Sequence, residues 1–121
     1  IIDPNNRDGI DFLKKASKRI RKQNGSLILI SQNLIDFCSP EIERYGQVII
    51  DNSSYLLVMS QGQKEIEAVA KMLSLSESEK QFLTTASQGC GLFVIGQDTR
   101  LPIQVELRVE EKELFGSAGG K

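Results

Sequence analysis

The chain has 121 residues, a length that allows one domain with one core. Its fifteen lysines and arginines are balanced by sixteen aspartates and glutamates, which excludes a protein that binds nucleic acid through its overall charge. It contains no histidine, which excludes a histidine general base. Its only two cysteines are Cys38 and Cys90, so no metal site is predicted, and both thiols are expected to pack as small apolar groups. No apolar run approaches the roughly 18 residues of a membrane span, and no signal peptide is visible.

The first predicted element is an amphipathic helix from about Ile10 to Asn24. At about 100° per residue its apolar side chains fall within one arc and its lysines and arginines within the opposite arc. Asn24 and Gly25 supply the expected stop, because either residue can adopt a left-handed conformation. The predicted apolar face consists of Ile10, Phe12, Leu13, Ala16 and Ile20.

The segment Ser26 to Asn33, SLILISQN, predicts a strand that ends in polar residues. Four successive apolar residues, Leu27 to Ile30, are typical of a strand buried on both faces of a parallel sheet. Ligands of open α/β sheets bind just beyond the carboxyl ends of the strands, so Gln32 is well placed to contact one. The alternative is that the strand simply reaches solvent there.

A second helix and a second strand follow. Ser39 can act as N-cap with Pro40 at the first helical position, and Ile42, Tyr45 and Ile49 are predicted to face inward. The run SSYLLVMS, residues 53–60, predicts a strand parallel to the first, since the intervening segment is long enough for a helical crossover.

The remaining elements are a helical hairpin and a β-hairpin. The apolar spacing from Ile66 to Leu73 predicts one helix, and the capping box Ser76 to Glu79 opens the next. GLFVIG and LPIQVELRV predict two strands, the second at a sheet edge where Pro102 is tolerable, with its alternation running to Val109. The order of elements predicts an α/β domain that lacks its beginning.

Three segments in this order resemble a known family of motors. They are RIRKQNGSLILISQNLIDFCSP (residues 19–40), LSLSESEKQFL (73–83) and GCGLFVIGQDTRLPIQVEL (89–107). They are similar to the large VirB/TraE-type ATPase of type IV secretion and conjugation systems, within the HerA/FtsK superfamily of RecA-like hexameric motors. In that family a basic helix and a strand ending in Ser or Thr followed by Gln come after the Walker B segment.

The resemblance implies a partial RecA-like P-loop fold, with a mostly parallel sheet flanked by helices. The family binds ATP and magnesium through a phosphate loop and a Walker B acid, but no G-x-x-x-x-G-K-S/T pattern occurs here. Because the chain starts at Ile1 without methionine, we expect a piece of a longer protein. Residues 1–115 are interpreted as the C-terminal portion of the ATPase domain and residues 116–121 as a Gly-rich tail or artificial end. The piece alone is expected to need no cofactor and to be inactive.

The resemblance also implies roles for four side chains. Gln32 would sense the terminal phosphate and orient the attacking water, and one arginine of the basic helix would act as a finger on the nucleotide of an adjacent subunit. Arg21 is favoured over Arg19 for this finger. Arg100 is a lesser candidate for a nucleotide or subunit contact, with a simple turn role as the alternative. The basic helix itself can equally be a solvated face whose charge suits the helix dipole.

The implied function is ATP-driven pilus assembly or transfer of DNA or protein substrates. The expected partners are other subunits of the same ATPase and secretion-channel components, with DNA contact only in the full assembly. The implied location is the cytoplasmic, inner face of the cell membrane, reached through those partners. The competing interpretation is a non-catalytic protein-interaction module of a secretion or DNA-processing complex. A DNA-tracking translocase of the FtsK kind is disfavoured by the near-zero net charge.

Overall fold

The computed structural model describes residues 7–32, 43–96 and 98–115. Five α-helices, one 3-10 turn and three strands occur in these residues. Their order is α1 (Arg7–Arg19), the 3-10 turn (Ile20–Gln23), α2 (Glu43–Asn52), β1 (Tyr55–Met59), α3 (Ile66–Leu73), α4 (Glu77–Thr85), β2 (Cys90–Ile95), β3 (Thr99–Gln104) and α5 (Val109–Phe115).

The three strands form one antiparallel sheet in the order β1-β2-β3. Leu57 lies opposite Phe93, and Phe93 lies opposite Leu101. The expectation of a mostly parallel sheet is therefore wrong for the described strands. A single helix between two strands would return the chain to its starting end, whereas α3 and α4 together form a reversal that brings β2 back antiparallel to β1. The edge position predicted for the strand around Pro102 is confirmed.

The core lies between one face of the sheet and the helical hairpin α3–α4. Val69 and Leu83 of these helices are completely buried, and they pack with side chains from β1 and β2, including Val58, Leu92 and Val94. The predicted helical hairpin is confirmed. The opposite face of the sheet is apolar but exposed at Tyr55, Leu57, Met59 and Leu101.

Helices α1 and α2 pack against each other beside this core. Ile10 and Ile49 are buried, and the Lys14 ammonium lies 5.0 Å from the centre of the Tyr45 ring. Helix α1 changes to 3-10 geometry at Ile20, and Asn24 has the predicted left-handed backbone, with φ of 53°. Phe12 was predicted to face the core, but it is 69% exposed, because α2 covers only a narrow stripe of α1.

The buried strand predicted at Leu27 to Ile30 is not found. Residues 25–31 have no regular secondary structure, and these four apolar side chains are between 39% and 92% exposed. A strand needs a hydrogen-bonded neighbour, and burial of both its faces needs layers packed on both sides of the sheet. The described sheet contains only β1, β2 and β3. The helix start predicted at Ser39 and Pro40, together with Ile42 and Cys38, lies outside the described residues.

The last strand is shorter than its alternation predicted. Strand β3 ends at Gln104, and helix α5 begins at Val109. The Arg108 backbone N–H donates to the Glu111 carboxylate at 2.8 Å, a local bond of the kind that starts a helix rather than extends a ladder. None of the helices in the described residues is long and apolar enough to cross a membrane.

Candidate functional site

Gln32 lies in a bend directly after residues 25–31, which have no regular secondary structure, and its side chain is exposed. The strand predicted to end at Gln32 is therefore not found among the described residues. No hydrogen bond joins Gln32 to Arg19, Arg21 or Arg100 in the part of the chain that the structure describes, so no such contact brings the four predicted residues together. The exposed Gln32 amide can both donate and accept a hydrogen bond.

The two arginines of the basic segment have different environments. One Arg21 guanidinium nitrogen donates to the Ser54 hydroxyl at 2.6 Å and to the Asn52 carbonyl at 3.3 Å. These bonds fasten the 3-10 turn to the end of α2 and the entrance to β1. Arg19 ends α1, is exposed, and has no hydrogen bond or ion pair among the described residues. Of these two arginines, Arg19 is the one whose guanidinium has no partner within the described residues.

Arg100 joins the β-hairpin to the turn between α3 and α4. Its guanidinium donates to the Leu73 carbonyl at 2.8 Å, to the Ser74 carbonyl at 3.2 Å and to the Glu79 carboxylate at 2.9 Å. The two carbonyls belong to the C-terminal end of α3, where backbone acceptors lack helical partners. We call this set of contacts the Arg100 clamp. It gives Arg100 a structural role that neither the turn nor the nucleotide interpretation anticipated.

Glu79 takes part in two interactions at once. Burial by itself would raise the pKa of Glu79, but the hydrogen bonds from Ser76 and the neighbouring Arg100 guanidinium outweigh it, so that the pKa lies below its usual value of 4.5. The Ser76 hydroxyl accepts from the Glu79 backbone N–H, and the Glu79 carboxylate accepts from the Ser76 backbone N–H. The predicted capping box is confirmed. Its carboxylate is ionised at neutral pH and balances Arg100.

Sequence reasoning missed the two residues that hold the candidate arginines. Ser54 carried no signal, because a serine before a strand is common and its partner Arg21 lies 33 residues away. Glu79 was identified for its local cap and not for its contact with Arg100, 21 residues away. Both contacts depend on how the chain packs and are invisible to patterns in local sequence.

Neither a candidate metal-binding group nor a phosphate-loop pattern occurs in the described residues. They contain no group of three or more acidic, cysteine or histidine side chains that could hold a metal ion, and the sequence lacks the phosphate-loop pattern. Such a loop is needed because its backbone N–H groups cradle the phosphates and its lysine reaches the terminal ones. Gln32 and the arginines can only supplement a site of this kind.

Comparison with known proteins identifies a family profile, a relative and a solved structure that this chain resembles. The profile of the TraG P-loop domain matches residues 5–89. Protein TraC of Escherichia coli strain K12 is 31% identical over 65 residues, which are 54% of this chain and 7% of TraC. The solved structure of VirB4 of Thermoanaerobacter pseudethanolicus is 49% identical, with a TM-score of 0.81 over 91% of this chain and 29% of that chain.

The chain thus spans less than a third of the solved relative and a small part of TraC. The structural match confirms the predicted fold class, part of an α/β P-loop domain, although the strands described in this part are antiparallel. The similarity to VirB4 covers 91% of this chain, and the similarity to TraC covers 54% of it.

Proposed function

Since the chain belongs to the TraG P-loop domain family, we propose that it is the C-terminal part of the ATP-hydrolysing domain of a type IV secretion or conjugation ATPase. The resemblance identified from the sequence is confirmed at the level of the family, which includes relatives of the VirB4 and TraC type. The observation that carries the proposal is the match to VirB4, in which nearly half of the residues are identical over almost the whole chain.

The chain contributes groups to a nucleotide site whose phosphate loop lies elsewhere in the longer protein. Gln32 positions the attacking water, a role that suits an exposed amide because the amide can both donate and accept a hydrogen bond. The finger role falls to Arg19 rather than Arg21, because the Arg21 guanidinium already has two partners within the chain. To reach a nucleotide, Arg21 would first have to give up both bonds.

The cofactors of the full-length protein are ATP and Mg²⁺, and the chain alone binds neither tightly. The subunits assemble into a hexameric ring that associates with secretion-channel components at the cytoplasmic face of the inner membrane. The ring energises pilus assembly or the transfer of DNA or protein. These roles extend the family assignment and follow from the motor type that the sequence resembles.

The second candidate is a non-catalytic interaction module, and one specific observation favours it. The outer face of the sheet exposes apolar side chains from all three strands, with the Tyr55 and Phe93 rings stacked at 6.0 Å between centres. Exposed apolar surfaces of this kind commonly mark docking sites. The two functions differ in what they predict for Gln32, which a docking module does not need.

The test measures ATP turnover in a longer protein that carries this chain together with its phosphate loop. Gln32→Ala should lower turnover much more than it lowers ATP affinity, because a water-positioning group acts mainly in the transition state. The matched control is Gln63→Ala, an exposed glutamine in the loop before α3. Equal turnover in both variants would support the interaction module instead, and weaker ATP binding with unchanged turnover would assign Gln32 to ground-state binding.

Calorimetry on the 121-residue chain complements this test. The chain should not bind ATP with magnesium at micromolar concentrations, because it lacks the phosphate loop. Micromolar binding would mean that the chain holds a nucleotide site of its own. The proposal that it only adds groups to a site whose phosphate loop lies elsewhere would then be wrong.

A further inference from the structure

The charges of the chain are separated onto two exposed helical surfaces. Residues 7–23, which form α1 and the 3-10 turn, carry seven cationic and two acidic side chains. Helix α5, at the other end of the described chain, carries three acidic side chains and one lysine. A chain of nearly zero net charge therefore presents one strongly basic region and one acidic region.

Much of the charge on α1 is already engaged. Lys15 pairs with Asp11 at 2.7 Å, Lys14 lies over the Tyr45 ring, and Arg21 is bound to Ser54. Of the six cations in residues 8–23, the other three have no partner among the described residues, and the exposed Phe12 ring lies on α1. We call this set the basic surface: Phe12, Lys18, Arg19 and Lys22.

Helix α5 combines acidic side chains with one large exposed apolar side chain. Glu110, Glu113 and Leu114 are spaced three and four residues apart, so they lie on one side of the helix. Leu114 is 77% exposed, and neither glutamate has an ion pair within the described residues. No other described helix or strand packs extensively against α5. We call these three residues the acidic surface.

We propose that the acidic surface of one copy docks on the basic surface of a second copy. Each surface combines one large exposed apolar side chain with free charges of a single sign, and the two signs are opposite. Contacts of this kind bury an apolar pair while the surrounding charges fix the orientation. Because the two surfaces are different patches of the chain, the contact can form twice across a two-fold axis to give a closed dimer, or repeat head-to-tail to give a ring or an open filament.

A second copy fits these observations better than nucleic acid does. Phosphates could neutralise the basic surface and an unpaired base could stack on the Phe12 ring, but nucleic acid would leave the acidic helix α5 uncovered. The inference rests on surface charge and exposure alone and needs no nucleotide, so it can fail while the proposed ATPase role stands. One short helix covers less area than a stable interface of about 1,200 Å² requires, so the isolated contact is weak and salt-dependent.

The test uses charge reversal in the 121-residue chain, with sedimentation velocity over a concentration series. One variant reverses the basic surface, Lys18→Glu with Lys22→Glu, and spares the proposed finger Arg19. The other reverses the acidic surface, Glu110→Lys with Glu113→Lys. The control, Lys64→Glu with Lys71→Glu, changes the net charge as the first variant does but on exposed residues of the α3 region. Circular dichroism establishes that each variant is folded.

Wild type and control should self-associate, and the dissociation constant should rise on the order of tenfold from low to high salt because the charges are screened. Each reversed variant alone should remain monomeric. Mixing the two reversed variants should restore association, because an interface between the two different variants again joins opposite charges.

Monomeric wild type, or association that survives both reversals, would overturn the proposal. A mixture that stays monomeric would also overturn it, as would loss of association in the control. If wild type binds a labelled single-stranded DNA but does not self-associate, nucleic acid is the occupant instead.

Discussion

Removing the Arg100 side chain should loosen the contact between the β-hairpin and the helical hairpin. In Arg100→Ala the Leu73 carbonyl and the Glu79 carboxylate lose partly buried hydrogen bonds, and the Ser74 carbonyl loses an exposed one. Each of the two partly buried bonds contributes about 1 kcal/mol, and the exposed bond contributes almost nothing because water replaces it. We therefore expect the free energy of unfolding to fall by about 2 kcal/mol.

Urea unfolding followed by circular dichroism measures this change. With a slope of about 2 kcal/mol per molar urea, the midpoint should fall by about 1 M. Arg108→Ala is the matched control, because that side chain is exposed and makes no bond among the described residues, so the change should stay within about 0.5 kcal/mol. Arg100→Lys keeps the charge but loses the planar fork, and it should recover less than half of the loss. If Arg100→Ala and Arg108→Ala shift the midpoint equally, the clamp contributes no stability.

The contribution of the clamp should also depend on pH. Because the pKa of Glu79 is lowered in the folded state, the stabilisation is present above the usual pKa of this carboxyl and is lost as the pH falls through the lowered value. The difference in stability between wild type and Arg100→Ala should therefore be largest near neutral pH and narrow in acid. A difference that is constant over this range would show that the Glu79 charge is not involved.

Two further substitutions test the packing around the sheet, both by urea unfolding. Leu83→Ala empties a completely buried site and should lower the free energy of unfolding by about 2–5 kcal/mol. Leu114→Ala on exposed α5 should change it by less than about 0.5 kcal/mol. Similar losses in both variants would contradict the position of the core. Gly91→Ala would place a methyl group 2.7 Å from the Val58 carbonyl oxygen, so the two strands must separate locally. This should lower the free energy of unfolding by about 1–3 kcal/mol, and an unchanged urea midpoint would refute the close approach.

The sequence was a good guide wherever the deciding interaction is local. The capping box was predictable because Ser76 and Glu79 are three residues apart and satisfy each other's backbone groups. The same holds for the left-handed Asn24 and for the apolar spacing that buries Val69 and Leu83. In each case the pattern needed no knowledge of what lies elsewhere in the fold.

Where the deciding partner is distant, the predictions were wrong or incomplete. Four apolar residues in succession, Leu27 to Ile30, indicate burial, but the pattern does not supply the neighbouring strands that burial requires. Strand direction depended on the helical reversal between β1 and β2 and not on the strands themselves. For the candidate site, the strand predicted to end at Gln32 is not found among the described residues. The partners of Arg21 and Arg100 could not be predicted from local patterns, because they lie more than twenty residues away.

Mixing two inactive variants of the longer ATPase tests whether this chain supplies an arginine to the nucleotide site of a neighbouring subunit. One carries Arg19→Ala and the other a substituted phosphate-loop lysine, and the measurement is ATP turnover of the mixture. Arg19→Ala alone should lower turnover on the order of 10³-fold, by analogy with other arginine fingers, without unfolding the domain. Mixed rings contain interfaces that join an intact phosphate loop to an intact Arg19, so turnover should partly return. Repeating the mixture with Arg21→Ala should give no comparable rescue. Full activity of Arg19→Ala alone, or a mixture as inactive as its components, would contradict the claim.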